Sequence, residues 1–294
     1  MYATISPDAL GIRALSLSDA IALARDSGFA GLSFDSRAAA RAADEHGPAA
    51  VQEQFARAGV KPAIWNLPVA WRADDQWQAD LRELPRLAAT ARELGATRTT
   101  TYMPSGSDER PFAENFDWHV ARLRPIAEVL RDEGCRFGIE FIGPNTFRAA
   151  FRHEFIHTLE GVMELIAAIG TGNVGVLLDA WHLYTSGGTL ADLGRLTSQD
   201  VVVVHVNDAP VGVAPDEQTH TVRMLPMETG VIDLVGFMHA LREMGYDGPV
   251  MPEPFSQRLN DLAATDPPAA AREAARSMDA LWSAAGLGVM GDGQ

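Results

Sequence analysis

Short apolar runs alternate with longer amphipathic segments along almost the whole chain. We interpret the short runs as strands, because apolar runs of about four to eight residues bounded by turn residues are typical of buried strands. Eight such runs occur, at 2–6, 30–34, 60–66, 97–103, 136–142, 173–179, 201–207 and 249–255. Their nearly continuous apolar character is typical of a parallel sheet that is buried on both faces.

The segments between these runs carry the spacing and the end signals of helices. Apolar residues recur every three or four positions, which is the period of one helix face. Ser16 and Asp19 have the spacing of a capping box, and Gly28 predicts the end of that helix. Pro85 and Pro125 fall inside helical patterns, so we expect those two helices to be kinked or to begin later than the pattern suggests.

The alternation of strands and helices predicts the fold. Eight strands that alternate with helical segments match the count of a (β/α)8 TIM barrel. A doubly wound open sheet is the alternative, but it usually has fewer strands, and no glycine-rich phosphate loop follows the first run. No low-complexity linker divides the chain, so we predict one domain over 1–285. The glycine-rich tail 286–294 is predicted to be disordered.

Charge and composition exclude several classes of partner. The chain has 24 Lys and Arg against 39 Asp and Glu, a formal net charge of −15. Such a surface disfavours nucleic acids and anionic membranes, because both are bound through clustered cations. The only cysteine, Cys135, can form neither an internal disulfide nor a Cys-x-x-Cys site. Because no signal peptide or apolar stretch of about 18 residues is apparent, we expect a cytoplasmic protein, with homo-oligomerisation left open.

Ionisable residues follow the apolar runs of the last four predicted strands. For a single strand, such a residue is more often a helix cap or the partner of an arginine. Ionisable groups on four neighbouring strands would converge at one end of a barrel, and the carboxylates among them would repel one another unless a positive charge lay between them. Two Glu, one Asp and one His suit Mn²⁺, Mg²⁺ or Co²⁺ better than a thiophilic ion, with Zn²⁺ as an alternative. The four residues are Glu140, Asp179, His205 and Glu253.

Five segments carry a family resemblance: GIEFIGP, GVLLDAWHLYTSGG, VVHVNDAP, RMLPMETGVIDL and GYDGPVMPEPF. They resemble the xylose-isomerase-like TIM-barrel superfamily of sugar isomerases and epimerases, which also contains inosose dehydratases and the AP-endonuclease group. The resemblance covers most of the chain and is strongest over 136–256. It implies that one divalent metal, with Mn²⁺ as the expected ion, is bound by Glu140, Asp179, His205 and Glu253. It also implies substrate contacts by His182 and Arg223.

The resemblance further implies a reaction. Glu140 and Glu253 would act as the acid–base pair of an isomerase or epimerase that converts a ketose, keto-inositol or related polyol through a cis-enediolate. The same intermediate could instead expel a leaving group, so a lyase such as a dehydratase is the alternative. An endonuclease would need a three-metal cluster with ligands from earlier strands, which FDS, IWN and TYMP lack. Loss of a ligand would favour a non-catalytic sugar-binding barrel, but all four are present.

Several further residues have two interpretations. Asp208 could line the site or only orient a neighbour, and Asp35 could reach the pocket or, as we favour, cap the following helix. Met227 departs from the relatives, which often carry glycine there. The loop after the fifth strand holds basic residues that could bind a polar substrate or lie on the surface: Arg148, Arg152, His153 and His157. Three tryptophans could stack on a sugar but are more often core residues: Trp65, Trp71 and Trp181.

Overall fold

The computed structural model describes residues 1–288 and contains a closed barrel of eight parallel strands. Each strand pairs with the next one along the chain, and the eighth pairs with the first. The single-domain (β/α)8 barrel that the sequence predicts is therefore confirmed. The barrel strands are Tyr2–Ile5, Gly31–Phe34, Lys61–Asn66, Arg98–Met103, Arg136–Phe141, Val174–Asp179, Val201–Val206 and Pro249–Pro252.

Helices connect the strands and surround the barrel. Every predicted strand overlaps its observed counterpart, and the eighth differs most, because its predicted range extends to 255 whereas the strand ends at Pro252. Of the predicted tail, 289–294 lies outside the described residues. The α-helices are Leu17–Asp26, Ser36–His46, Pro48–Ala58, Trp77–Glu93, Phe112–Asp132, Asn145–Arg148, Leu159–Ile169, Ala180–Thr185, Leu190–Leu193, Leu234–Glu243, Gln257–Thr265 and Pro267–Ala284, with 3₁₀ turns at Asp8–Leu10 and Pro215–Glu217.

Two prolines lie inside long helices without delaying their start. The helices Trp77–Glu93 and Phe112–Asp132 run through Pro85 and Pro125. The expectation of a later start is therefore wrong. Pro85 is exposed and Pro125 is half-buried. We attribute the tolerance to this position, because water can hydrate the carbonyl that a helical proline leaves without its N–H partner.

Side-chain caps set the starts of the helices that follow the first two strands. Ser16 Oγ accepts a hydrogen bond of 3.1 Å from the Asp19 backbone N–H, as the capping-box spacing predicts. Asp35 Oδ1 accepts one of 2.6 Å from the Ala38 N–H. Asp35 therefore acts as the helix cap that we favoured from the sequence.

A two-residue antiparallel ladder joins the loops that follow the fourth and fifth strands. Gly106–Ser107 pairs with His153–Glu154, an element that the sequence did not indicate. Gly106 is required there because a Cβ atom at this position would lie 2.5 Å from the side chain of Phe151. The ladder thus joins the loop after the fourth strand to the loop after the fifth strand.

Ala14 provides a test of backbone strain. It is exposed, and its φ of 58° lies in the left-handed region, which costs about 1–2 kcal/mol for a residue with a Cβ atom. We expect Ala14→Gly to raise the free energy of unfolding by about 1 kcal/mol, measured by urea denaturation. The matched control is Ala56→Gly at an exposed position inside a helix, which should lower it by about 1 kcal/mol. A loss of stability in Ala14→Gly would contradict this strain.

Candidate active site

The carboxyl ends of the last four barrel strands bring four ionisable side chains together. Glu140, Asp179, His205 and Glu253 each offer one ligand atom, and these atoms all lie within 4.8 Å of one another. His205 Nδ1 is central, at 3.4 Å from Glu140 Oε1, 3.5 Å from Glu253 Oε2 and 3.9 Å from Asp179 Oδ2. The strand ends therefore converge on one point, as the alternation of apolar runs and acidic residues led us to expect.

The donor set fits a divalent cation. Asp179 is fully buried, and the side chains of Glu140 and Glu253 are only 9% and 17% exposed. Among the described residues, neither Glu140 Oε1 nor His205 Nδ1 has a hydrogen-bond partner, although both are buried. Buried polar atoms are costly when unpaired, and three carboxylates beside one imidazole form a hard, oxygen-rich ligand set. These residues could therefore hold a metal ion.

Asp179 is held by donors from several parts of the chain. Its Oδ1 accepts a hydrogen bond of 2.7 Å from the Trp181 backbone N–H, so it caps the helix Ala180–Thr185. The Asn207 side-chain amide lies 3.3 Å from Oδ2, and Arg223 Nη1 donates to the same oxygen at 2.9 Å. The orientation of the carboxylate is therefore set before any ligand binds.

Asn207 links two members of the cluster. It is fully buried, and its Oδ1 accepts a hydrogen bond of 2.7 Å from the backbone N–H of Glu253, while its amide faces Asp179. Asn207 was not among the site residues predicted from the sequence. A signal was available, because residues two apart along a strand share a face, and Asn207 follows His205 by two.

Arg223 occupies the space between two of the carboxylates. Its Nη1 donates to Asp179 Oδ2 and to Glu253 Oε2, each at 2.9 Å. The guanidinium carbon lies 4.5 Å from the Trp181 ring centre and 4.6 Å from that of Phe255, so the group is held between two aromatic faces. Phe255 adopts a φ of 38°, an unusual conformation for a residue with a large side chain.

His182 lies beside this group and is fully buried. The Gly143 backbone N–H donates to its Nδ1 at 3.1 Å, and Arg223 Nη2 lies 3.2 Å from its Nε2. Burial, reinforced by the charge of Arg223, lowers the pKa of His182 well below its usual 6.5. The imidazole is therefore neutral near pH 7. A Cβ atom at Gly143 would lie 2.3 Å from the His182 carbonyl oxygen, which explains why a glycine follows the fifth strand.

The environments of the two glutamates separate their pKa values. Burial raises the pKa of Glu140 to about 7, and the negative charge of Glu253 adds to the effect. Burial would also raise the pKa of Glu253, but the positive charges of His205 and Arg223 lower it to about 2. Burial disfavours the charged form of His205, yet Glu253 and Glu140 outweigh it and raise its pKa to about 10. One carboxyl group can thus carry a proton while the other is ionised.

Comparison with known proteins identifies the family. The family model of the xylose isomerase-like TIM barrel matches residues 21–281. The chain belongs to this family. A xylose isomerase domain protein from Alicyclobacillus acidocaldarius superposes with a TM-score of 0.84 at 30% identity, covering 97% of this chain and 99% of that one. The IolI protein with a bound zinc atom superposes with a TM-score of 0.76 at 19% identity, covering 98% and 99%.

Two curated relatives of this xylose isomerase-like barrel are named enzymes. The inosose isomerase of Halalkalibacterium halodurans is 28% identical over 218 residues, which cover 70% of this chain and 71% of that protein. The 3-dehydroshikimate dehydratase of Pseudomonas aeruginosa is 29% identical over 136 residues, which cover 46% of this chain and 20% of that protein. In addition, no helix in the described part of the barrel has the length and hydropathy to cross a membrane.

Asp208 follows the seventh strand and organises the long loop after it. It is fully buried, and its two oxygens accept hydrogen bonds from the backbone N–H groups of Thr229, Gly230, Val231 and Ile232, at 2.7 to 3.1 Å, besides that of Ala209. Its oxygens are thus occupied by the backbone of the loop that carries Arg223. Of the two interpretations from the sequence, the structure supports an orienting role.

Met227, in the same loop, has a left-handed backbone. Its φ is 65°, in the region where a glycine is favoured. The position at which this chain departs from the relatives is therefore one where the backbone itself favours the glycine. Met227 is partly buried against the core, so its side chain contributes packing that a glycine would lack.

The remaining candidates mostly support local structure. Trp65, Trp71 and Trp181 are buried in the core.

The basic residues of the loop after the fifth strand make local contacts. Arg148 donates to the Gly143 carbonyl at 3.0 Å, and His157 contacts the Phe155 carbonyl at 2.9 Å. His153 pairs with Ser107 in the short ladder, and the Arg152 backbone N–H donates to Asp108.

Asp208→Asn tests the orienting role. An amide in place of one carboxylate oxygen would point N–H groups at backbone donors, leaving buried groups unpaired. Each such group costs about 1–3 kcal/mol, so we expect the free energy of unfolding to fall by about 3 kcal/mol in urea denaturation. Asp233→Asn is the control, because Asp233 caps the exposed start of the helix Leu234–Glu243 and asparagine is an equally good cap. Equal stability of the two variants would contradict this role.

Proposed function

We propose that this protein is a divalent-metal-dependent isomerase or epimerase of a ketose, keto-inositol or related polyol. The observation that carries the proposal is the convergence of three carboxylates and one imidazole at the carboxyl end of the barrel, where TIM-barrel enzymes hold their active sites. The ligands we propose are Glu140, Asp179, His205 and Glu253. The zinc atom bound by the IolI protein supports a metal ion in this protein as well. For this oxygen-rich ligand set we favour Mn²⁺ over zinc.

The two glutamates would move the proton. Glu253 is ionised and the more exposed of the pair, so it can remove a proton from a carbon next to the substrate carbonyl. The substrate then becomes a cis-enediolate. Glu140, on the other side of His205 Nδ1 in the cluster, would return a proton to the opposite face or to the neighbouring carbon. A divalent cation, when bound, supplies Lewis-acid stabilisation of charge on the substrate oxygens.

His182 and Arg223 would bind the substrate oxygens. Arg223, a permanent cation, donates to Glu253. His182 lies between Arg223 and Glu140, with its Nε2 3.2 Å from Arg223 Nη2 and 3.9 Å from Glu140 Oε1. Donors that are already oriented stabilise negative charge on oxygen without reorganisation during the reaction. Asn207 would keep the Glu253 backbone and the Asp179 carboxylate at a constant separation.

The relatives support the substrate class. The inosose isomerase covers about 70% of both chains, which favours isomerisation of a keto-inositol or similar polyol. The 3-dehydroshikimate dehydratase supports the second candidate, elimination from the same type of intermediate, over a shorter match. The two candidates share proton removal next to a carbonyl and differ in the mass of the product.

Deuterium exchange tests the acid–base assignment. In D₂O with candidate ketoses or inososes, the wild-type protein should introduce deuterium at the carbon next to the carbonyl, as measured by mass spectrometry. Glu253→Gln and Glu140→Gln should each lose about 10²–10⁴-fold of the exchange rate, the usual contribution of a general acid or base. An isomerase gives a product of unchanged mass apart from deuterium, and a dehydratase gives one lighter by water.

Two measurements make this test decisive. Metal content is determined for each variant, because glutamine keeps an oxygen but loses the ligand charge, and only a variant that retains its metal assigns the loss to proton transfer. Glu154→Gln, an exposed carboxyl group on the short ladder, is the matched control and should exchange as the wild type does. If Glu253→Gln turns over substrate at the wild-type rate with its metal in place, Glu253 is not the base.

Metal analysis tests the ligand set. Exhaustive chelation should abolish activity, and Mn²⁺, Co²⁺ or Mg²⁺ should restore it. By elemental analysis, Asp179→Asn and His205→Ala should retain little metal, because each loses a ligand or its charge. His46→Ala changes an exposed histidine and should retain the wild-type content. Full occupancy in both site variants would refute the ligand set.

A further inference from the structure

The cluster already contains a permanent cation. Arg223 Nη1 is within 2.9 Å of Asp179 Oδ2 and of Glu253 Oε2, and both oxygens face His205 Nδ1. Because these two oxygens lie 3.9 and 3.5 Å from His205 Nδ1, we take them as the atoms through which Asp179 and Glu253 would bind the proposed metal ion. Arg223 therefore neutralises part of the negative charge that a divalent cation would also neutralise.

The distances bring the two cations close together. Metal–oxygen bonds in such sites are about 2.1 Å long, and Arg223 Nη1 lies 2.9 Å from each carboxylate oxygen. An ion bound to either oxygen could then be no more than about 5 Å from Nη1. A single and a double positive charge at this separation repel each other substantially, even in a partly hydrated site.

The aromatic clamp keeps the guanidinium in this position. Trp181 and Phe255 cover its two faces, and the backbone φ of 38° at Phe255 places that ring over Arg223. The guanidinium also contacts the His220 carbonyl through Nε at 3.3 Å. A side chain this restrained does not move aside freely, so its charge is a lasting property of the site.

We propose that Arg223 is a built-in counter-cation that competes with the divalent metal for Asp179 and Glu253. This inference rests on the proposed metal site. In the metal-free protein Arg223 holds the two carboxylates together, and metal binding weakens its hold on them. The guanidinium stays in place while its hydrogen bonds to the carboxylates weaken, which leaves its N–H groups available to a substrate oxygen, so metal binding and substrate binding are coupled through one side chain.

The test is the affinity of the metal-stripped protein for Mn²⁺, measured by isothermal titration calorimetry without substrate. Arg223→Gln removes the charge and keeps a polar amide that ends two bonds short of Nη1, so it should bind Mn²⁺ at least about tenfold more tightly than the wild type. Arg223→Lys keeps the charge and should stay within about threefold. Arg57→Gln makes the same change of net charge at an exposed site and should leave the affinity unchanged.

The sign of the effect separates the two roles open to Arg223. An arginine that only organises the ligands would, when removed, leave a weaker site. If Arg223→Gln binds Mn²⁺ equally or more weakly than the wild type, the counter-cation role of Arg223 is wrong. If the wild type still binds Mn²⁺ in that case, the proposed metal site itself is not contradicted. If the wild type binds no Mn²⁺, the proposed metal site and this inference both fail.

A second variant covers the case in which Arg223→Gln does not fold. Phe255→Leu removes one aromatic face but leaves Arg223 and both carboxylates in place. A less restrained guanidinium should compete less well, so Mn²⁺ binding should tighten by about threefold, in line with the modest strength of one cation–π contact. Unchanged or weaker binding by Phe255→Leu would contradict the competition.

Discussion

The fully buried carboxylate of Asp179 is the constraint around which the active face is arranged. A buried charge without partners destabilises a protein by several kcal/mol, so its donors must be in place when the chain folds. They come from the helix that starts at Ala180, from Asn207 directly after the seventh strand and from Arg223 in the following loop. Satisfying one side chain therefore aligns three segments and, through Asn207, the backbone of Glu253.

The two halves of the barrel mouth carry different kinds of side chain. Strands five to eight end in the ionisable cluster, whereas a cavity of about 230 Å³ beside the ends of the first three strands is lined mainly by apolar and neutral polar residues, with Asp8 paired to Arg13 at its edge. Asp35, which also borders this cavity, is engaged as a helix cap. Among the described residues, Glu140, Asp179, His205 and Glu253 form the one group of side chains that could hold a metal ion.

The fold and the principal side chains could be predicted because they follow from local patterns. Apolar runs locate parallel strands, and a parallel barrel places all their carboxyl ends at one rim, so the convergence of Glu140 with His205 follows from topology. The position of Arg223 between two carboxylates could not be predicted, since it depends on a long loop held by Asp208 and on the rings of Trp181 and Phe255. The short ladder was missed because two residues carry no periodicity.

That ladder affects how this active site can diversify during evolution. Gly106–Ser107 and His153–Glu154 form a clasp between the loop that follows the fourth strand and the loop that follows Glu140 and the fifth strand. Insertions beyond the clasp can lengthen or reshape the rim while the strand that carries Glu140 keeps its register. Substitution of Gly106 would open the clasp, because its neighbour Phe151 leaves no room for a side chain. Variation in substrate range can therefore accumulate in the outer loops without disturbing the residues at the bottom of the mouth.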